Sequence, residues 1–166
     1  ADIQAAQDVL MAVRPYIRKF DSSNYLTGLP NGEVCMAMTW SGDYATAIAR
    51  AEEAGIKINL AYFIPKEGSL IWFDNMYIPA DAPHVANAHK FLEYLMQPQV
   101  MADVTDYIHY ANSNAAATPL LNADVRNNPA IYPDEATRER LFPQKTQDAK
   151  DMRAMTRVWS TVKSGI

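Results

Sequence analysis

Two acidic residues in this sequence keep unusual company. Asp43 stands three positions after Trp40, just beyond the apolar run Cys35-Met36-Ala37-Met38-Thr39-Trp40. Asp74 closes an aromatic stretch, Trp72-Phe73-Asp74. A carboxylate in apolar surroundings is costly unless a cation or hydrogen-bond donors meet it. Carboxylates flanked by flat aromatic faces suit an organic cation. The acid groups neutralise its charge, and each ring adds about 0.5 to 2 kcal/mol of cation–π attraction. Tyr110, where the chain leaves regular structure at Ala111-Asn112, is a further aromatic candidate. Each residue also has a plainer reading. Asp43 suits a helix N-cap, Asp74 an edge-strand carboxylate facing water, and Tyr110 ordinary packing.

Covalent chemistry is less well served. A pair of carboxylates can cleave a glycosidic bond as acid and base, so a hydrolase using Asp43 and Asp74 is the alternative reading. Ser41-Gly42-Asp43 lacks the glycine before the serine that a nucleophile elbow needs. No phosphate-cradling glycine loop is present. His84 and His89 are five residues apart and fall on different sides of a helix, His109 stands alone, and no H-E-x-x-H pattern exists. Solvated or core histidines are expected, with no metal and no cofactor. The eight methionines sit at scattered apolar positions that core filling explains. The single cysteine, Cys35, rules out a Cys-rich zinc site. It is either a small buried hydrophobe or the partner of a thiol outside this chain.

The elements that must position these residues follow from periodicity and punctuation. Ile3, Ala6, Leu10 and Val13 recur at helical spacing, and Pro15 ends that helix. Residues 16–20 read as a short strand, and Asp21, Ser22 and Ser23 are N-cap candidates for a brief helix through Leu26. The run 35–40 reads as a buried strand, followed by a polar turn holding Asp43 and a helix over 44–54 stopped by Gly55. Ile58, Leu60 and Tyr62 alternate as a strand does, and 69–78 reads as extended chain. Helices are predicted over 85–96 and 98–107, an extended piece at 108–110, a polar loop over 111–118, then helices over 133–141 and 148–162. Strands alternating with helices indicate an α/β class, and in a parallel sheet the turn after a strand is a common ligand site.

The 166 residues suffice for one domain, with 49 % apolar and 20 % charged residues. A formal net charge of −4 argues against nucleic acid as a partner. No stretch is apolar and long enough to span a bilayer, and no signal peptide is visible. The opening residues read as a helix already under way, so a truncated chain is expected.

Several stretches in one order carry a resemblance. They are residues 38–43 (MTWSGD), 63–68 (FIPKEG), 72–74 (WFD), 110–120 (YANSNAAATPL), 128–133 (NPAIYP) and 157–165 (RVWSTVKSG). Together they resemble the putrescine/spermidine-binding periplasmic proteins of ABC importers, in particular the putrescine-binding branch. The resemblance covers essentially the whole chain, and it implies a binding protein rather than an enzyme. It implies a type II periplasmic-binding-protein-like fold, with a ligand cleft between two α/β lobes. Residues 1–54 and 105–166 would belong to the second lobe, and 55–104 would cross the hinge and complete the first. It further implies a polyamine ligand, a permease partner in the inner membrane, a missing N-terminal half and a periplasmic location. The family's ligand residues fall on Trp40, Asp43, Trp72, Asp74 and Tyr110. Cys35 falls where some members have a disulfide cysteine whose partner lies upstream.

Overall fold

The computed structural model describes residues 2–166. In chain order these form α1 (Asp2–Val13), α2 (Tyr25–Gly28), α3 (Ser41–Glu53), β1 (Ser69–Ile71), α4 (Val85–Leu95), α5 (Pro98–Ile108), α6 (Ala123–Arg126), α7 (Glu135–Arg138), β2 (Leu141–Pro143) and α8 (Ala149–Ser164). Single 3-10 turns lie at Arg14–Tyr16 and Thr118–Leu120. The chain divides into two compact units, one from the residues up to Ser23 with Gln144–Ile166, the other Asn24–Pro143.

The first unit pairs α1 with α8. The half-buried residues of α1 are Ile3, Gln7, Leu10 and Met11, followed by Arg14 just past its end, whereas Ala6 and Val13 face solvent. Pro15 stops α1 in a 3-10 turn, as its missing N–H requires. Asp148 caps α8, its Oδ1 accepting from the backbone N–H groups of Lys150 and Asp151 at 2.8 Å each. At the other end of α8, Arg14 donates from Nε to the Val162 carbonyl (2.9 Å) and from Nη2 to the Lys163 carbonyl (3.1 Å). A cation thereby meets the helix C-terminus, where carbonyls lack intrahelical partners. Residues 17–20 are irregular rather than a strand. Phe20 instead packs edge-on against Trp159, ring centroids 5.2 Å apart, with Arg14 over its face.

The second unit is mixed helix with little strand. β1 and β2 pair in parallel, in register Ser69↔Leu141, Leu70↔Phe142 and Ile71↔Pro143. Gly68 leads into β1 at φ +99°, with the Arg140 carbonyl where a Cβ would sit. A small core of Ala102, Ala117 and Leu121 packs α5 against the loop that follows it, flanked by Met101 and Tyr132. That loop is polar but ordered. Asn112 donates from Nδ2 to Thr105 Oγ1 (2.9 Å) and accepts from the Asn114 N–H (2.8 Å), and Asn114 accepts from the Ala116 N–H (3.1 Å). The predicted extended piece at 108–110 does not form. Ile108 ends α5, and His109 takes the left-handed conformation (φ 57°) that closes the helix and turns the chain at Tyr110. The last predicted helix before α8 is also shorter than read, because residues 141–143 are drawn into β2.

The largest departure is the apolar run 35–40. It is neither buried nor part of a ladder: Met36 is 82 % and Met38 99 % exposed. Cys35 is exposed as well, so it is not the buried hydrophobe that its size allows. Residues 58–62 likewise join no ladder. A strand is held by its neighbours, and among the described residues none pairs with either segment.

Candidate ligand-binding site

The site starts from the first turn of α3. Trp40 is the N-cap residue in extended conformation (φ −70°, ψ 149°), with a side chain that cannot accept from the helix amides. Ser41, Gly42 and Asp43 are the first helical residues. Asp43 is therefore neither a turn residue nor the N-cap. It lies one residue into the first turn beyond buried Gly42, where an anion suits the positive end of the helix.

Both oxygens of Asp43 are taken by phenols. Tyr25, on α2, donates from its hydroxyl to Oδ2 at 2.5 Å. Tyr110, just past α5, donates to Oδ1 at 3.0 Å. Helix α2 packs on α3, which brings Tyr25 to Asp43 and leaves it only 8 % exposed. Tyr110 is half-buried, its ring resting on Gly42. A Cβ there would lie 2.2 Å from ring atom Cε2. Glycine is the residue that lets the phenol approach α3 so closely. Burial first, then the hydrogen bond to Asp43, holds the Tyr25 hydroxyl above the ordinary tyrosine pKa. The same causes, with the Asp43 charge acting on both phenols, push Tyr110 far above it. Both phenols are thus protonated donors at neutral pH.

Trp40 also meets Trp72, which follows directly on β1. Their rings are edge to face, 4.6 Å apart at 86°. Both remain nearly half exposed, at 45 % and 48 %, so both offer open aromatic surface. The structure therefore links Trp72 to Trp40 by contact, Trp40 to Asp43 by the first turn of α3, and Asp43 to Tyr110 by a hydrogen bond. Asp74 is placed differently. It is exposed, two residues beyond Trp72, and makes no hydrogen bond or ion pair with the described residues. Tyr25 was not singled out by sequence. A tyrosine on a one-turn helix, eighteen residues before its carboxylate, has no periodic signal that separates it from packing.

Chemically, the cluster is a fixed carboxylate beside aromatic faces. A carboxylate has about four lone-pair positions and two are used, so Asp43 can still accept from a cation. No group of three or more His, Cys, Asp or Glu is gathered for a metal among the described residues. No helix among them is long and apolar enough to cross a membrane.

Comparison with known proteins agrees with a binding role. The chain is 48 % identical over 160 residues to the putrescine-binding periplasmic protein PotF of Escherichia coli, covering 96 % of this chain and 43 % of that protein. It is 46 % identical over 164 residues to a putrescine/agmatine-binding protein of Pseudomonas aeruginosa, covering 99 % and 45 %. It is 35 % identical over 136 residues to the spermidine/putrescine-binding periplasmic protein of Salmonella typhimurium, covering 82 % and 37 %. The chain thus spans less than half the length of these relatives. The family model for bacterial extracellular solute-binding proteins matches residues 1–133, and this chain belongs to that family.

Proposed function

We propose that the chain is the C-terminal part of a polyamine-binding protein of the putrescine type, which captures its ligand in the periplasm and delivers it to the permease of an ABC importer. Asp43 and Asp74 would take the ammonium groups, while Trp40, Trp72 and Tyr110 would cover the methylenes between them. In this reading residues 1–54 and 105–166 form the second lobe and 55–104 complete the first. The opposing wall of the cleft would come from the part of the relatives that this chain does not span.

The observation that carries the reading is the Asp43 carboxylate, fixed by two protonated phenols three residues from the Trp40–Trp72 pair. The ligands for which these relatives are named support the ligand class. The magnitudes suffice. Micromolar capture needs about −8 kcal/mol. Charge-assisted hydrogen bonds at about 1.5 to 3 kcal/mol each, with aromatic contacts, reach that after ordering costs. The hydrolase alternative finds no support, since the family is one of solute-binding proteins.

The test is titration calorimetry on a chimera in which these 166 residues replace the matching stretch of the E. coli relative. Putrescine or spermidine should bind at micromolar concentration, and Asp43→Ala should abolish the heat. A chimera that unfolds cooperatively yet gives no heat with either polyamine would overturn the proposal.

A further inference from the structure

We infer that Tyr25 is a positioning residue for the cation site: from beneath α3 its hydroxyl sets the orientation in which the Asp43 carboxylate meets a ligand ammonium. The inference rests on the polyamine-binding reading above. An aspartate carboxylate turns easily about χ2, which has broad preferences. Asp43 has donors on both oxygens, so that rotation is closed off. The two phenols are not equivalent. Tyr110 is half-buried and Tyr25 is 8 % exposed. Tyr110 keeps surface that a ligand can touch, whereas Tyr25 is too deep and acts only through Asp43. Tyr25 also makes the shorter of the two bonds, 2.5 Å against 3.0 Å, and comes from a helix packed on α3. Tyr110 comes from a turn after α5. The rigid, buried member of the pair therefore fixes the carboxylate, and the outer member is free to serve ligand and carboxylate together. A carboxylate oriented before binding costs less ordering when the cation arrives.

Tyr25→Phe tests this, because it removes one oxygen and keeps the ring that packs α2 on α3. In the chimera, putrescine affinity should fall about 2- to 10-fold, the ordering of one side chain that the fold no longer supplies. The unfolding midpoint should fall as well, because the same bond holds α2 to α3 in the unliganded fold. In an Asp43→Asn background, Tyr25→Phe should lower the unfolding midpoint less than it does with Asp43 intact, a coupling that a packing role alone would not produce. Wild-type affinity in Tyr25→Phe, with the unmodified chimera binding normally, overturns the inference and leaves the binding reading intact. No binding by the unmodified chimera overturns both. A second measurement uses the 166-residue chain alone. Alkaline titration of tyrosinate absorbance should show Tyr25 and Tyr110 ionising closer to the ordinary value in Asp43→Asn than in wild type. Identical titrations would also overturn the inference, since the phenols would then not be engaged with Asp43.

Discussion

Gly42→Ala puts the geometry of the site under direct strain. The added methyl would lie 2.2, 2.3 and 2.8 Å from Cε2, Cδ2 and Cζ of Tyr110. Comfortable carbon–carbon contact is about 3.5 Å, so the ring must retreat by about 1 Å or more. A retreat of that size away from α3 takes the Tyr110 hydroxyl from 3.0 Å to about 4 Å from Asp43 Oδ1, beyond hydrogen bonding. Losing a hydrogen bond to a carboxylate costs the fold about 1.5 to 3 kcal/mol, and a carboxylate left to be ordered by the ligand costs about 0.5 to 1.5 kcal/mol of affinity, about 2- to 10-fold. Overpacking adds to the loss of stability. Alanine favours a helix over glycine by about 0.5 to 1 kcal/mol, offsetting part of the 1 to 3 kcal/mol typical of overpacking. The assay is calorimetry with putrescine on the chimera, with alkaline titration and urea unfolding alongside. The pH dependence has a definite sign. Tyr110 has a folded-state pKa above its unfolded 10.0, so its contribution to stability is complete below pH 10 and is lost as pH rises beyond it. In Gly42→Ala that alkaline loss should be shallower, because folded and unfolded values lie closer together. Unchanged affinity with an unchanged tyrosine titration would refute the close packing of Tyr110 on Gly42 and the dependence of the site on it.

Two further substitutions probe the frame. Gly68→Ala adds a methyl 2.2 Å from the Arg140 carbonyl oxygen at a left-handed φ, so it should cost about 1 to 3 kcal/mol and remove amide-exchange protection along β1 and β2. Thr105→Val takes the acceptor from Asn112 Nδ2 at a nearly fully buried position, and should lower stability by about 1 to 3 kcal/mol in urea while exposing the Asn114 and Ala116 amides to exchange.

What could be read in the sequence was what local chemistry dictates. Pro15, Gly55 and Pro98 punctuate helices because each restricts or frees the backbone at its own position, and α1, α3 and α5 begin or end within a few residues of them. Tyr110 is ambiguous alone and enters through the resemblance, whereas the candidates Asp43 and Asp74, each near a tryptophan, were legible by residue type. Tyr25 was not. Its role depends on how α2 packs against α3, a long-range contact that no spacing encodes. The run 35–40 misled for a related reason. Apolarity states that burial is favourable, at about 25 cal/mol per Å², but not what does the covering. Met36 and Met38 therefore read as core and stand exposed, with no paired neighbour among the described residues.

The same distinction separates the two carboxylates on which the binding proposal relies. Asp43 has its partners within the chain, two phenols and a helix start, and is set before any ligand arrives. Asp74 is exposed and without a partner among the described residues. Orienting it must therefore be accomplished during binding, by the cation itself or by whatever closes over it. Each immobilised side chain costs about 0.5 to 1.5 kcal/mol on association. Of two equal charge-assisted contacts, the one at Asp43 then contributes more net affinity, because its ordering cost is already met in the fold. The two ends of a symmetric diamine would accordingly be held unequally, with the Asp43 end as the anchor and the Asp74 end as the contact that completes closure.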